Sequence, residues 1–321
     1  MKVLIFGGSG FVGSAVCRSA VARGWQVISC TRRGEPFKTA EGLTPAWVNH
    51  VEWRKGSPFD PASYDSLLPQ CGAVVSTLGI LLEGGYKSDG VVNPLQVLKG
   101  VAKNLLGDRG NPLEPVEQGP TYEHMNRDAA LAAFRTYAAS IPSSTPGGTS
   151  SSPSPFVFIS AEDIFRPVVP SRYIETKREA EQIILDELAL AGPAPTRPIR
   201  PIFVRPSLIY HPHVNPLSTL PATLISASSR IQSLLPAPLR LARIFADPRN
   251  ARLPIPSALT SFANFATIPP VHVDTVGEAV CRSIEDERVE GVVDVRRMRK
   301  MLGYDTAWDK EDQDASRHST V

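Results

Sequence analysis

With 321 residues, 42% of them hydrophobic, the chain can bury the core of one large α/β domain, alone or with an appended lobe. A net charge of +2 and a pI of about 8.3 supply no global basic surface, so nucleic acid is not an expected partner. Four scattered cysteines (Cys17, Cys30, Cys71 and Cys281) lack CxxC spacing and read as reduced thiols, and no apolar run is long enough for a membrane-spanning helix.

The first predicted element is a buried strand over Val3 to Phe6, with no presequence read ahead of it. Gly7, Gly10 and Gly13 follow as GxxGxxG and lead into a helix over Phe11 to Arg23. The first glycine permits a tight strand-to-helix turn, the second lets a pyrophosphate approach the backbone, and the third lets the helix pack close to the sheet. The helix start, with its free N–H groups and positive dipole end, then favours an anion. The same turn also serves purely structural ends in α/β domains that bind nothing.

A second strand is expected over Trp25 to Cys30. Its end reads SCTRRG, residues 29 to 34, where an NAD site usually carries an acid for the ribose hydroxyls. Arg32 and Arg33 stand there instead. Their forked donors suit a 2′-phosphate, so NADP is expected over NAD unless both are solvated loop charges. Third and fourth strands are predicted at Val51 to Trp53 and Ala73 to Thr77. Residues 80–121 break the rhythm as an insertion, and Asn126 to Ala139 reads as an Ala-rich helix. The low-complexity stretch at 140–155 reads as a flexible loop.

A fifth strand, Phe156 to Ser160, precedes a long helix over Tyr173 to Ala191, and a sixth strand is expected at Ile202 to Val204. Tyr173 and Lys177, four apart, share one helix face. A lysine ammonium one turn away lowers a tyrosine pKa from its usual value near 10 toward a range useful for acid/base work. Ser160, at the end of the fifth strand, could hydrogen-bond a substrate oxygen. The bland alternative is a solvated surface helix, which suits Glu175, Arg178, Glu179 and Glu181 better than Lys177. Strands alternating with helices predict an α/β, Rossmann-type doubly wound parallel sheet over residues 1–206, with a smaller C-terminal substrate lobe over 207–303 and a disordered tail over 304–321.

GGSGFVG, the YxxxK of Tyr173 and Lys177, and RPS at 205–207 together resemble the short-chain dehydrogenase/reductase superfamily in its extended or atypical branch, which includes NAD-dependent epimerase/dehydratase-like proteins. LGILLEGGYK (78–87), YEHMNRDAA (122–130), FISAEDIF (158–165), PSRYIETKREAE (170–181) and IFVRPSLIYHPHVNP (202–216) resemble a fungal mitochondrial subgroup associated with the coenzyme Q (ubiquinone) biosynthetic complex on the inner membrane. The resemblance covers roughly residues 1–300 and implies cofactor contacts from Gly7, Gly10, Phe11, Val12 and Gly13 to the pyrophosphate. It further implies Leu78 and Gly79 along the adenosine side, and Pro206 and Ser207 near the nicotinamide. Tyr173 would be the acid/base, Lys177 its partner and holder of a cofactor ribose, and Ser160 the substrate-polarising hydroxyl, with Ser171 as the alternative. Two departures weaken parts of this pattern: Ser207 stands where the superfamily often has Gly, and Ala161 stands where it has a second serine.

Two function classes follow. One is an NAD(P)-dependent oxidoreductase or isomerase acting on an apolar carbonyl or quinone-type compound, by resemblance in mitochondria at the inner membrane. The other is a nucleotide-binding scaffold of a membrane complex, since fold alone does not fix function. Residues 207–270 carry five arginines (230, 240, 243, 249, 252) and one acid (Asp247), a net 5 − 1 = +4, among leucines. That composition predicts peripheral contact with an anionic membrane. No metal site is expected: His211 and His213 flank a proline with no third ligand nearby, and Glu162 and Asp163 read as solvated loop acids.

Overall fold

A computed structural model describes residues 1–39, 41–80, 121–141, 153–164, 169–191, 199–211 and 268–304. The expected insertion, most of the low-complexity loop, most of the C-terminal lobe with its arginines, and the tail lie outside the described residues.

Seven parallel strands form one sheet. They are β1 (Lys2–Phe6), β2 (Gln26–Thr31), β3 (Val51–Lys55), β4 (Ala73–Ser76), β5 (Ser154–Ile159), β6 (Ile199–Val204) and, late in the chain, β9 (Gly291–Val293). Their order is β3-β2-β1-β4-β5-β6-β9, so the order in which the chain adds strands reverses between β1 and β4, the place where open α/β sheets bind ligands. A separate two-stranded ladder joins β7 (Ile209–Tyr210) to β8 (Val271–His272).

After Lys2, β1 is apolar to its end because helices cover both faces of the sheet. Its side chains alternate between two cores. Val3 and Ile5 join Val75, Val157, Ile159, Ile202 and Val204 against helices α1 (Phe11–Ala22) and α4 (Val273–Glu285). Leu4 and Phe6 join Phe156, Phe158 and Phe203 against α2 (Ala129–Ser140) and α3 (Ser171–Leu190). One face is thus aliphatic and the other rich in aromatics. On the aliphatic face the two helices pack closely: a Cβ on Gly277 of α4 would stand 2.6 Å from the carbonyl oxygen of Ala15 in α1.

The structure differs from the expected layout at residue 206. β9 pairs with β6, and α4 packs on α1, so these residues of the expected lobe complete the main sheet and its helical layer. Buried Arg200 on β6 holds that closure. Its guanidinium donates to the main-chain oxygens of Ser283 (2.8 Å), Ile284 (2.9 Å), Asp286 (3.1 Å) and Val289, satisfying carbonyls at and beyond the C-terminus of α4. A short helix, α5 (Val295–Met301), follows β9 with Asp294 as its cap. The Ala-rich helix also differs at its start. It opens with a wider π-helical turn, Glu123–Asp128, which carries Asn126 inward. No helix among the described residues is long and apolar enough to cross a membrane.

Candidate functional site

The glycine turn joins β1 to α1. Gly7 has φ +87°, and its N–H donates to the oxygen of Cys30 at 2.9 Å. A Cβ on Gly13 would overlap the carbonyl of Gly7, so the third glycine lets helix and turn touch. Gly8 belongs to the same constraint although the spacing did not single it out: a Cβ there would overlap Ser29 on β2. Gly10 is different. It is the exposed N-cap of α1 in an extended conformation, with no side-chain cap and no acid in the first turn. The amides of Phe11, Val12 and Gly13 precede the first bond of the helix, from Ser14 N–H to the oxygen of Gly10 at 2.9 Å. This is a cradle with donor groups and little side-chain bulk, and it fits a pyrophosphate.

Arg32 and Arg33 follow β2 and are exposed; Arg33 lies 3.9 Å from Glu35. Across the switch point, the chain leaving β4 is fastened to two side chains. The Nζ of Lys177 donates to the oxygens of Leu78 (2.9 Å) and Ile159 (2.8 Å), and it lies 4.6 Å from the ring centre of Phe158. Asn126 accepts from Ile80 N–H at 2.8 Å and donates to Ile80 oxygen at 3.2 Å. Gly79 lies between them: a Cβ would stand 2.7 Å from Lys177 Nζ and 2.9 Å from Asn126 Oδ1. Sequence reasoning missed Asn126. Its partner, Ile80, is 46 residues away in the chain and reaches it only in the fold.

Lys177 is fully enclosed, 3% exposed. Burial pushes its ammonium down to about 7, while Glu181 one turn on pulls it back. Glu181 is itself buried. It accepts from Arg205 Nε at 3.0 Å and from Arg178 at 3.1 Å, and burial pushes its carboxyl up against the pull of Ser160 and Arg178. Ser160 is buried as well. Its Oγ has no hydrogen-bond partner among the described residues, although it lies near enough to Glu181 to favour the charged carboxylate. Lys177, Ser160 and Glu181 thus meet under the end of β5. Tyr173, one turn before Lys177 on α3, is half-buried, with its ring edge-on to Tyr122 at 6.3 Å.

At the end of β6, Pro206 oxygen accepts from Glu162 N–H at 2.9 Å, and Ser207 Oγ donates to Pro269 oxygen at 2.6 Å. The hydroxyl of Ser207 therefore fastens the loop that returns before β8. Glu162 is not the solvated acid expected. Its side chain is 17% exposed, and burial pushes its carboxyl up, opposed first by Arg178 at 3.9 Å.

Residues 3–80 match the model of the NAD dependent epimerase/dehydratase family. The chain is 36% identical over 216 residues to MIOREX complex component 2 of Saccharomyces cerevisiae, covering 67% of this chain and 74% of that protein. It is 24% identical to an uncharacterized chloroplastic protein of Arabidopsis thaliana, over 93% of this chain and 76% of the other. Among solved structures, a short chain dehydrogenase/reductase family oxidoreductase from Burkholderia thailandensis is 14% identical with a TM-score of 0.49, over 95% of this chain and 98% of that one.

Proposed function

Because the chain belongs to the NAD dependent epimerase/dehydratase family, we propose that it is a nicotinamide-dependent oxidoreductase or isomerase that uses Tyr173 as its acid/base. One observation carries this reading. α3 presents Tyr173 one turn above Lys177, whose ammonium is anchored where β4 and β5 end, beside the sheet's reversal point. The phenol thus stands on a rigid helix at the crevice where a dinucleotide and its substrate would meet.

The amides of Phe11, Val12 and Gly13 would hold the pyrophosphate, and Arg32 and Arg33 the 2′-phosphate of NADP. When bound, the nicotinamide supplies or accepts hydride. Tyr173 would move the proton at the substrate oxygen. Lys177, charged below its pKa and increasingly neutral above it, sets the charge beside the phenol. Both lysine–carbonyl bonds position that charge rather than bind substrate. The substrate class we assign is an apolar carbonyl or quinone-type compound, in support of ubiquinone biosynthesis at the mitochondrial inner membrane. That assignment rests on the resemblance of residues 78–87, 122–130 and 202–216 to the fungal subgroup, and on the basic, leucine-rich composition of 207–270.

A second reading is favoured by a different observation. The polar groups of Lys177 and Asn126 are engaged by the backbone of Leu78, Ile80 and Ile159, as a structural element would require. A relative is also named as a component of a complex. In that case the chain is a nucleotide-binding accessory subunit. Tyr173→Phe separates the two. Catalysis predicts that the variant binds NADPH as wild type does yet fails to restore coenzyme Q in a strain lacking the protein. Full restoration overturns catalysis.

A further inference from the structure

His211 has no third ligand near it in the chain, but the fold brings two to it. β7 pairs in parallel with β8, with Tyr210 opposite His272. His211 follows directly, and its ring centre lies 4.9 Å from that of His272. His272 is also the N-cap of α4, and Asp274 lies in the first turn of that helix. The ligand atoms of His211, His272 and Asp274 all fall within 4.8 Å of one another. We propose that these three side chains form a binding site for a zinc-class divalent cation.

Two imidazoles and a carboxylate suit Zn²⁺ and its first-row neighbours, whereas Mg²⁺ and Ca²⁺ select oxygen. Bonds of about 2.0–2.2 Å from a tetrahedral centre set ligand atoms about 3.3 Å apart. His272 Nδ1 accepts from Asp274 N–H at 3.3 Å and lies 3.8 Å from Asp274 Oδ2, so a bound cation takes the place of that cap bond. The widest pair closes by about 1.5 Å, a distance that side-chain rotation covers. All three residues are half-buried, so the site has both a protein wall and an opening for water as a further ligand.

Arg18 on α1 pairs with Oδ1 of Asp274 and leaves Oδ2 toward His272, the kind of outer contact that orients a ligating carboxylate. The same guanidinium and the positive end of α4 repel a cation, so Arg18 also lowers the affinity. The site lies where the chain leaving Pro206 and Ser207 meets the helix packed on α1. A bound cation would clasp that segment to the layer behind the glycine turn.

The test uses the full chain, stripped with a chelator and titrated with Co²⁺. The expected result is a single Co²⁺ per chain with the visible absorption of a low-coordinate centre, displaced by Zn²⁺ and indifferent to Mg²⁺. His211→Gln and His272→Asn should each weaken binding about tenfold or more. Asparagine still caps the helix, so loss of fold is not the cause there. Absence of the Co²⁺ absorption, or binding that both histidine variants leave unchanged, overturns the proposal.

Discussion

Gly79 and Lys177 compete for the same space: a single methyl group on the glycine would stand 2.7 Å from the lysine Nζ. The lysine reaches its two carbonyls only because residue 79 has no side chain. Gly79→Ala should therefore displace the ammonium from Leu78 and Ile159 or push Asn126 off Ile80. The expected cost is about 1–3 kcal/mol in denaturant unfolding, the usual range for an added methyl in a filled site. NADPH affinity should fall with it. Unchanged stability and affinity would show that the segment after β4 is looser than the packing implies.

The buried lysine predicts a pH dependence. Its pKa falls from 10.5 in the unfolded chain to about 7 in the fold. Between these values the unfolded state binds more protons, so this group makes stability rise with pH across that window and leaves it flat below about 7. The whole shift corresponds to roughly 5 kcal/mol as an upper bound. Lys177→Met should flatten this part of the curve. Urea unfolding of both proteins at pH 7 and pH 9 measures it: wild type should gain more stability over that interval than the variant, and parallel curves would remove the claim.

Arg200 predicts a local effect. Arg200→Ala leaves the carbonyls of Ser283, Ile284 and Val289 without this donor, while the Asp286 carbonyl keeps the Val289 N–H at 3.0 Å. Each buried group left unpaired costs roughly 1–3 kcal/mol, so the total should reach about 3 kcal/mol or more. Hydrogen exchange should speed first at the end of α4 and at β9. Uniform loss of protection would assign the residue a global role instead.

Much of this architecture was legible locally. Val3 to Phe6, Ala73 to Val75 and Phe156 to Ile159 are continuous apolar runs between turn signals, and each is a central strand. Gly7 and Gly13 were legible because their spacing is imposed by backbone contact. What escaped reading depends on contacts between distant segments. β9 has only three residues, and nothing in Gly291–Val293 announces a place beside β6. Asn126 is a lone amide until the chain after β4 folds over it. His211 acquires neighbours only when β7 pairs with β8. Ser160 has the expected place at the end of its strand, but it is buried beside Glu181, a mid-helix residue of α3 that no local pattern links to it.

Cofactor choice turns on Arg32 and Arg33. Because both are exposed, each contact to a 2′-phosphate is expected at the weak end of the charge-assisted range, about 1.5 kcal/mol or less. Changing both to alanine should weaken NADPH by up to roughly a hundredfold and leave NADH nearly unaffected. Equal losses, or tighter NADH than NADPH binding by wild type, would move the preference to NAD.

The central claim, a nicotinamide dinucleotide held at the start of α1, has a direct probe in Gly10. Its backbone is extended, and a Cβ there would stand 3.1 Å from the Gly7 carbonyl oxygen, a tight contact that the turn relieves by a shift of a few tenths of an ångström. Gly10→Val should therefore fold at a modest cost in stability while its side chain fills the cradle. Calorimetry with NADPH and NADH on wild type and Gly10→Val decides the matter. The account predicts one dinucleotide per chain in wild type and loss of binding in a variant that still unfolds cooperatively. Wild type that binds neither nucleotide, or a variant that binds as tightly as wild type, would contradict it.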